Sequence, residues 1–276
     1  MDCKTILVRL ELGQSNKNLL AITADLAHRL KAGVIGIAAC QPVQLVYDET
    51  YIAGELLAED RKQIEKQIKE AESEFRAELK DKVPNLGWRS TVTFASLADY
   101  VAHQARAADL IVTGPDIGGS VFDHTRQVGI ADLVMRAGCP VLIVPKGRGE
   151  LNLQQVIIGW KGTRESRRAV ADALPLLKRA YHVTVVEIAS EADMADAQDH
   201  VADVAKWLAS HGINAKAEAI AAIGPDSERL CDIARERAAG LIVAGAYGHS
   251  RLQEWVLGGV TGDFLMNPDR CVLVSH

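Results

Sequence analysis

The chain has 276 residues, 48% of them apolar and 24% charged, with 31 basic against 36 acidic side chains and a net charge of −5. At about 150 residues per domain this length suits two domains or one large one, and the composition excludes disorder, collagen and low complexity. With an acidic balance and no long block of like charges, a general polyanion-binding surface and a nucleic-acid partner are not expected, while a local site for a small anionic ligand stays open.

The apolar run Ile6 to Leu10 is too short for a signal peptide, and no segment approaches the roughly 18 uninterrupted apolar residues of a membrane span. A cytoplasmic protein without a membrane partner is expected. The five cysteines, Cys3, Cys40, Cys139, Cys231 and Cys271, are odd in number and contain no C-x-x-C pair. Reduced, buried thiols are expected, rather than metal ligands or a redox centre.

In the first half, strands are predicted at 4–10, 33–40, 88–94, 109–114 and 141–145, and helices near 17–31, 55–82, 97–107 and 127–137. The second helix is much the longest. It repeats Ile64, Ile68, Ala71, Phe75 and Leu79 at intervals of three and four, with charges of both signs between, which predicts one core stripe and one solvated face. After a charged, glycine-bearing linker from Lys146 to Glu150, strands are predicted at 155–160, 182–189, 215–221, 240–245 and 271–275. Helices fall near 164–179, 194–210, 226–238 and 259–266. Short apolar strands alternating with helices predict parallel sheets covered on both faces. The expected fold class is therefore α/β, with two tandem doubly wound domains, 1–147 and 151–276, each with a five-stranded, mainly parallel sheet.

The two halves also repeat in sequence. Arg106 to Gly114 (RAADLIVTG) and Arg237 to Gly245 (RAAGLIVAG) agree at seven of nine positions at an offset of 131, and the same offset carries Val141–Val144 onto Val272–Ser275. Agreement at two separated places with one offset indicates an internal duplication.

Several chemistries are absent from the sequence. It holds no G-x-x-x-x-G-K-[ST] loop, no G-x-G-x-x-G after a strand, no G-x-S-x-G elbow and no H-E-x-x-H. No histidine stands at metal-ligand spacing from a carboxylate or cysteine, and neither a metal site nor a catalytic residue is assigned. His28, His103 and His182 read as surface or core residues. The feature that remains is a glycine cluster after the fourth strand of the second half: Gly245, Gly248, then Gly258, Gly259, Val260 and Thr261, leading into a helix. Ligands of open parallel sheets bind beyond the strand carboxyl ends, where glycines let backbone N–H groups approach phosphate and a helix N-terminus adds donors. Glycines after a strand also serve as plain turn formers, and spacing alone leaves both readings open. His249, Arg251 and Glu254 lie within the loop, the first two as loop-surface residues or anion neighbours.

At these residues the sequence resembles the universal stress protein family, whose ATP-binding members carry G-x2-G-x9-G-[ST] after the fourth strand. Gly245, Gly248, Gly258, Val260 and Thr261 match that pattern, and the resemblance runs over nearly the whole chain as a tandem pair. It implies Rossmann-like, adenine nucleotide alpha hydrolase-like domains and a possible ATP or other nucleotide ligand. It also implies pairing of the two fifth strands across the domain interface, an intramolecular pseudo-dimer of Val141–Val144 with Val272–Val274. A homodimer of tandem chains is a further possibility.

The chain departs from the pattern in both halves. Position 259 is Gly where ATP-binding members place Ser or Thr. The family's first strand ends in an Asp that accepts a hydrogen bond from the adenine amino group, but here the stretch reads Trp160-Lys161-Gly162-Thr163, and Lys161 is a donor only. The first half keeps a carboxylate there, Glu11, but loses the glycine loop: Gly248, Gly258 and Gly259 become Ile117, Gln127 and Val128, and Asp116 adds a like charge. The expected function is a non-catalytic stress-response or regulatory protein, with a nucleotide or phosphate site in the second half formed by the loop residues with Trp160 and Lys161. The alternative is an interaction or scaffold module acting through partner surfaces. Slow ATP hydrolysis, reported for some family members, is the third reading.

Overall fold

The structure, a computed structural model, describes residues 3–43, 51–116, 126–246 and 269–276. In the first half, β1 (Thr5–Arg9), α1 (Lys17–Leu30), β2 (Gly33–Cys40), α2 (Tyr51–Leu79), β3 (Leu86–Val92), α3 (Leu97–Gln104), β4 (Leu110–Thr113), α4 (Ile130–Arg136) and β5 (Val141–Ile143) follow in order. The second half repeats the alternation with β6 (Gln155–Trp160), α5 (Arg164–Leu177), β7 (His182–Ala189), α6 (Met194–Ser210), β8 (Ala215–Ala221), α7 (Asp226–Glu236), β9 (Leu241–Gly245) and β10 (Cys271–Ser275). The predicted helix at 259–266 lies outside the described residues.

Small differences from the predicted bounds have local causes. Helix 17–31 stops at Leu30 because Lys31 turns left-handed, with φ 54°, and helix 226–238 stops short of Ala238, with φ 50°. Helix 97–107 is completed by a 3-10 turn over Ala105–Ala107. The long helix begins at Tyr51 and ends at Leu79. Helix 127–137 begins only at Ile130, after Gly129 in extended conformation. Strand 88–94 begins two residues earlier, because Leu86 and Gly87 pair with Val34 and Ile35; a glycine beside the Pro84-Asn85 turn hides that start from a reading of β-propensity.

The five-stranded sheets expected for the two halves are one continuous sheet, ordered β3-β2-β1-β4-β5-β10-β9-β6-β7-β8. Every neighbouring pair is parallel except β5 and β10, which are antiparallel with Val272 opposite Ile143, Leu273 opposite Leu142 and Val274 opposite Val141. The fifth strands thus pair within one chain as expected. One consequence is geometric: the strand carboxyl ends of the two halves point to opposite edges of the sheet.

Side chains alternate across the sheet, so Ile6 and Val8 join one core with α1, α2, α5 and α6, while Leu7 joins a second core with α3, α4 and α7. The predicted stripe of α2 is buried throughout, at Ile64, Ile68, Ala71, Phe75 and Leu79. All five cysteines are free; Cys3, Cys40 and Cys271 are buried as expected, whereas Cys139 and Cys231 are half-buried. Among the described residues, no helix is long and apolar enough to cross a membrane.

Candidate functional site

In the second half, β6 lies between β9 and β7, with Gly159 opposite Ala244 on one side and Trp160 opposite Glu187 on the other. The connections leave β6 in opposite directions, and such a switch point opens a crevice beyond the strand ends. Gly245, Trp160 and Lys161 all lie at or just beyond this carboxyl edge, at the ends of β9 and β6. Gly248, His249, Arg251, Gly258, Gly259, Val260 and Thr261 lie outside the described residues.

Gly245 is constrained by packing. A Cβ there would fall 2.4 Å from the backbone nitrogen of Ser166 and 2.6 Å from the carbonyl carbon of Glu165, so the end of β9 rests directly on the first turn of α5. That turn is capped by Thr163, whose hydroxyl accepts from the Ser166 N–H at 3.3 Å. Glu165 is buried, with one carboxylate oxygen bonded to the Arg164 guanidinium and the other without a partner. Burial pushes its carboxyl up, but the hydrogen bonds from Arg164, its own backbone N–H and Thr163 outweigh that, and the net shift is downward.

Lys161 does not reach into the crevice alone: its Nζ donates to Asp226 Oδ2 at 3.1 Å, in the first turn of α7. The Trp160 indole N–H is buried without a hydrogen-bond partner. Beside it, Glu187 faces the His200 ring at 3.3 Å; burial raises its carboxyl, and His200 and Lys161 partly oppose the rise. A groove of about 1010 Å³ runs from Trp160 between α5 and α6, lined among others by Arg164, Arg167, Val170, His200 and Trp207; neither Gly245 nor Lys161 lines it.

The corresponding crevice of the first half is filled from within. By strand register Glu11 stands where Lys161 does: Arg9 pairs with Thr113 as Gly159 pairs with Ala244, and Glu11 and Lys161 each lie two residues further on. Its carboxylate accepts from Gln14 and lies 3.4 Å from Arg9, and a Cβ on Gly114 would approach it to 2.5 Å. Burial raises the Glu11 carboxyl, Arg9 and Lys146 oppose that, and Asp116 adds to it. Arg9 is itself buried and donates to Thr113 Oγ1 at 2.7 Å. Arg126 crosses the end of β2, bonding Asp60 at 2.7 Å and the Gln41 carbonyl at 3.1 Å. The space left is about 230 Å³. Most telling is Asp116, whose carboxylate oxygens accept the Ile130 backbone N–H at 3.0 and 3.2 Å, at the start of α4.

Sequence reading missed Glu165, Asp226 and the Arg126–Asp60 pair, which become neighbours only through the fold. Arg9 left a visible signal, a charge inside an otherwise apolar strand. Asp116 was noted for its charge, and its bond to a helix start fourteen residues on needed the tertiary structure.

Residues 152–276 match the Universal stress protein family. The whole chain is similar in fold to a universal stress protein from Archaeoglobus fulgidus DSM 4304, with a TM-score of 0.73 and 12% identity over 100% of this chain and 99% of that one. It is also similar to a functionally unknown protein from Pseudomonas aeruginosa PAO1, with a TM-score of 0.59 and 16% identity over 99% and 92% of the two chains. At these identities the likeness is one of fold. No curated protein matches the chain.

Proposed function

Because residues 152–276 match the Universal stress protein family and the chain is alike in fold to a universal stress protein along its whole length, we propose that its second half senses a nucleotide or related phosphate ligand while its first half serves as structural partner. The observation that carries the reading is the Asp116 carboxylate on the Ile130 N–H. A helix start offers unpaired N–H donors to an anion, and in the first half a built-in carboxylate occupies that place. At the 131 offset the second half has Tyr247 and Thr261 instead, so its sequence carries no carboxylate at the position aligned with Asp116.

The ligand is anchored by its phosphates. Lys161 is a donor and is held by Asp226, so it offers no acceptor to an adenine amino group, and adenine and guanine nucleotides bind alike. The role is regulatory rather than catalytic. Among the described groups around the crevice, Glu165 is engaged by Arg164, Glu187 by His200 and Lys161 by Asp226, which leaves none of them poised as a general base.

Calorimetric titration of the full chain with ATP, ADP, AMP, cyclic AMP and GTP tests the reading. Binding is expected to vanish in Tyr247→Asp, which copies the internal anion of the first half, and in Gly258→Asp, and to persist in Asp116→Ala. A wild-type chain that takes up none of these ligands at millimolar concentration sinks the proposal.

A further inference from the structure

The two fifth strands, β5 and β10, pair with each other inside the chain, so the sheet ends on β3 and β8. An edge strand presents unpaired backbone N–H and C=O groups to any further strand that fits it.

The ladder decides which groups β8 presents. The Ala222 N–H donates to the Ala189 carbonyl at 2.9 Å, toward β7. Backbone groups alternate in direction along a strand, so Lys216, Glu218 and Ile220 also turn theirs to β7, while Ala215, Ala217, Ala219 and Ala221 turn theirs outward. One outward group, the Ala219 N–H, meets Gln198 Oε1 of α6 at 3.3 Å, a long bond that a strand carbonyl can replace. Side chains alternate as well. Ala215 and Ala217 pack on the core shared with α6, and Ile220 packs on the core shared with α7, the face that Lys216 and Glu218 share with it.

This pattern is complementary to itself. In an antiparallel pair of two β8 strands centred on Ala217, the outward groups of the two Ala217 residues face each other, and Ala215 faces Ala219, at hydrogen-bonded positions. Lys216 of each copy then stands opposite Glu218 of the other, at the non-hydrogen-bonded positions where side chains come closest. Glu218 is already held by Arg237, which donates to it at 2.6 Å, and Lys216 is exposed and has no side-chain partner among the described residues. A lysine on an edge strand ordinarily discourages pairing; here a glutamate two residues on answers it. Beyond the strand the same register brings Ile223 level with His211 of the second copy, whose ring stacks on Trp207 at 4.2 Å. Ile223 and Trp207 are 68% and 40% exposed, and the pairing covers both. The other edge has no such match, because the charged side chain of β3 is Arg89 alone, which donates to the Gln104 carbonyl.

We propose that β8 is the docking edge for a second copy of this chain, through an isologous antiparallel pair centred on Ala217. The edge lies two strands from β6, apart from the proposed phosphate site.

Sedimentation velocity of the full chain, with far-UV circular dichroism to follow folding, tests the assignment. The wild type is expected to sediment as a dimer at about 0.1 mM. Lys216→Glu and Glu218→Lys each set like charges opposite one another twice in the symmetric pair, and each is expected to weaken dimerisation at least about tenfold. An equimolar mixture of the two variants sets two glutamates of one chain against two lysines of the other and is expected to recover the dimer. Ala217→Pro removes an outward N–H and spares the bonds to β7, so the dimer is expected to be lost while the chain stays folded. A monomeric wild type, a dimer that survives both Lys216→Glu and Ala217→Pro, no recovery from a mixture of the two folded charge variants, or assembly beyond two chains overturns it.

Discussion

Glu165 carries a charge although burial by itself pushes its carboxyl up. It keeps that charge because Arg164, the Glu165 N–H and the Thr163 hydroxyl all donate to it at the start of α5, where the helix dipole also favours an anion. Its folded-state proton affinity lies below the ordinary carboxyl value of 4.5. The unfolded chain therefore binds the extra proton in acid, so the stability this group supplies is complete above 4.5 and is lost as pH falls through the lower folded value. Glu165→Gln is expected to lower the urea midpoint at neutral pH, and the gap to wild type should narrow as pH falls below the ordinary carboxyl value; a gap that does not narrow would show that the charge is not responsible. Little of this was readable beforehand. Gly245, Trp160 and Lys161 could be placed together from strand ends alone, but Glu165 follows a threonine and an arginine in an unremarkable helix start, and only the contact with Gly245 shows why it is buried.

Helix α2 was the element most fully legible, since a 3.6-residue period survives any detail of packing. Its five predicted core positions are all buried, and its outer face carries i,i+4 pairs such as Arg61–Glu65, Lys66–Glu70 and Arg76–Glu72. What the period could not supply is the partner: Phe75 is fully buried with its ring 5.5 Å from that of Trp88 on β3, tilted by 41°. Phe75→Ala removes that contact and leaves a cavity, at an expected cost of about 3–5 kcal/mol. Lys66→Ala on the exposed face should cost about 0.5 kcal/mol or less. Urea unfolding measures both, and similar losses from the two substitutions would contradict the assignment of faces. The 29 residues of α2 against 17 in α6 also account for much of the extra length of the first half.

At the scale of the molecule, the two halves share one sheet through β5 and β10, whose residues Val141, Leu142, Val272 and Leu273 are buried. Unfolding either half alone would strip an apolar edge strand of its partner and expose its unpaired backbone. A single cooperative transition is therefore expected, with amide protection lost in β1 and β6 at the same urea concentration. Separate transitions followed by hydrogen exchange would show the seam to be weak. The sequence by itself determined the duplication, the α/β alternation and the glycine pattern, because these are local or periodic and repeat at a fixed offset. Only the tertiary structure decided that the two sheets are one, that their strand ends point to opposite edges, and that Asp116 occupies the helix start of the first half. Those facts depend on which distant residues become neighbours, and sequence separations of 14 between Asp116 and Ile130, or 131 between Leu142 and Leu273, carry no local signature of the contact.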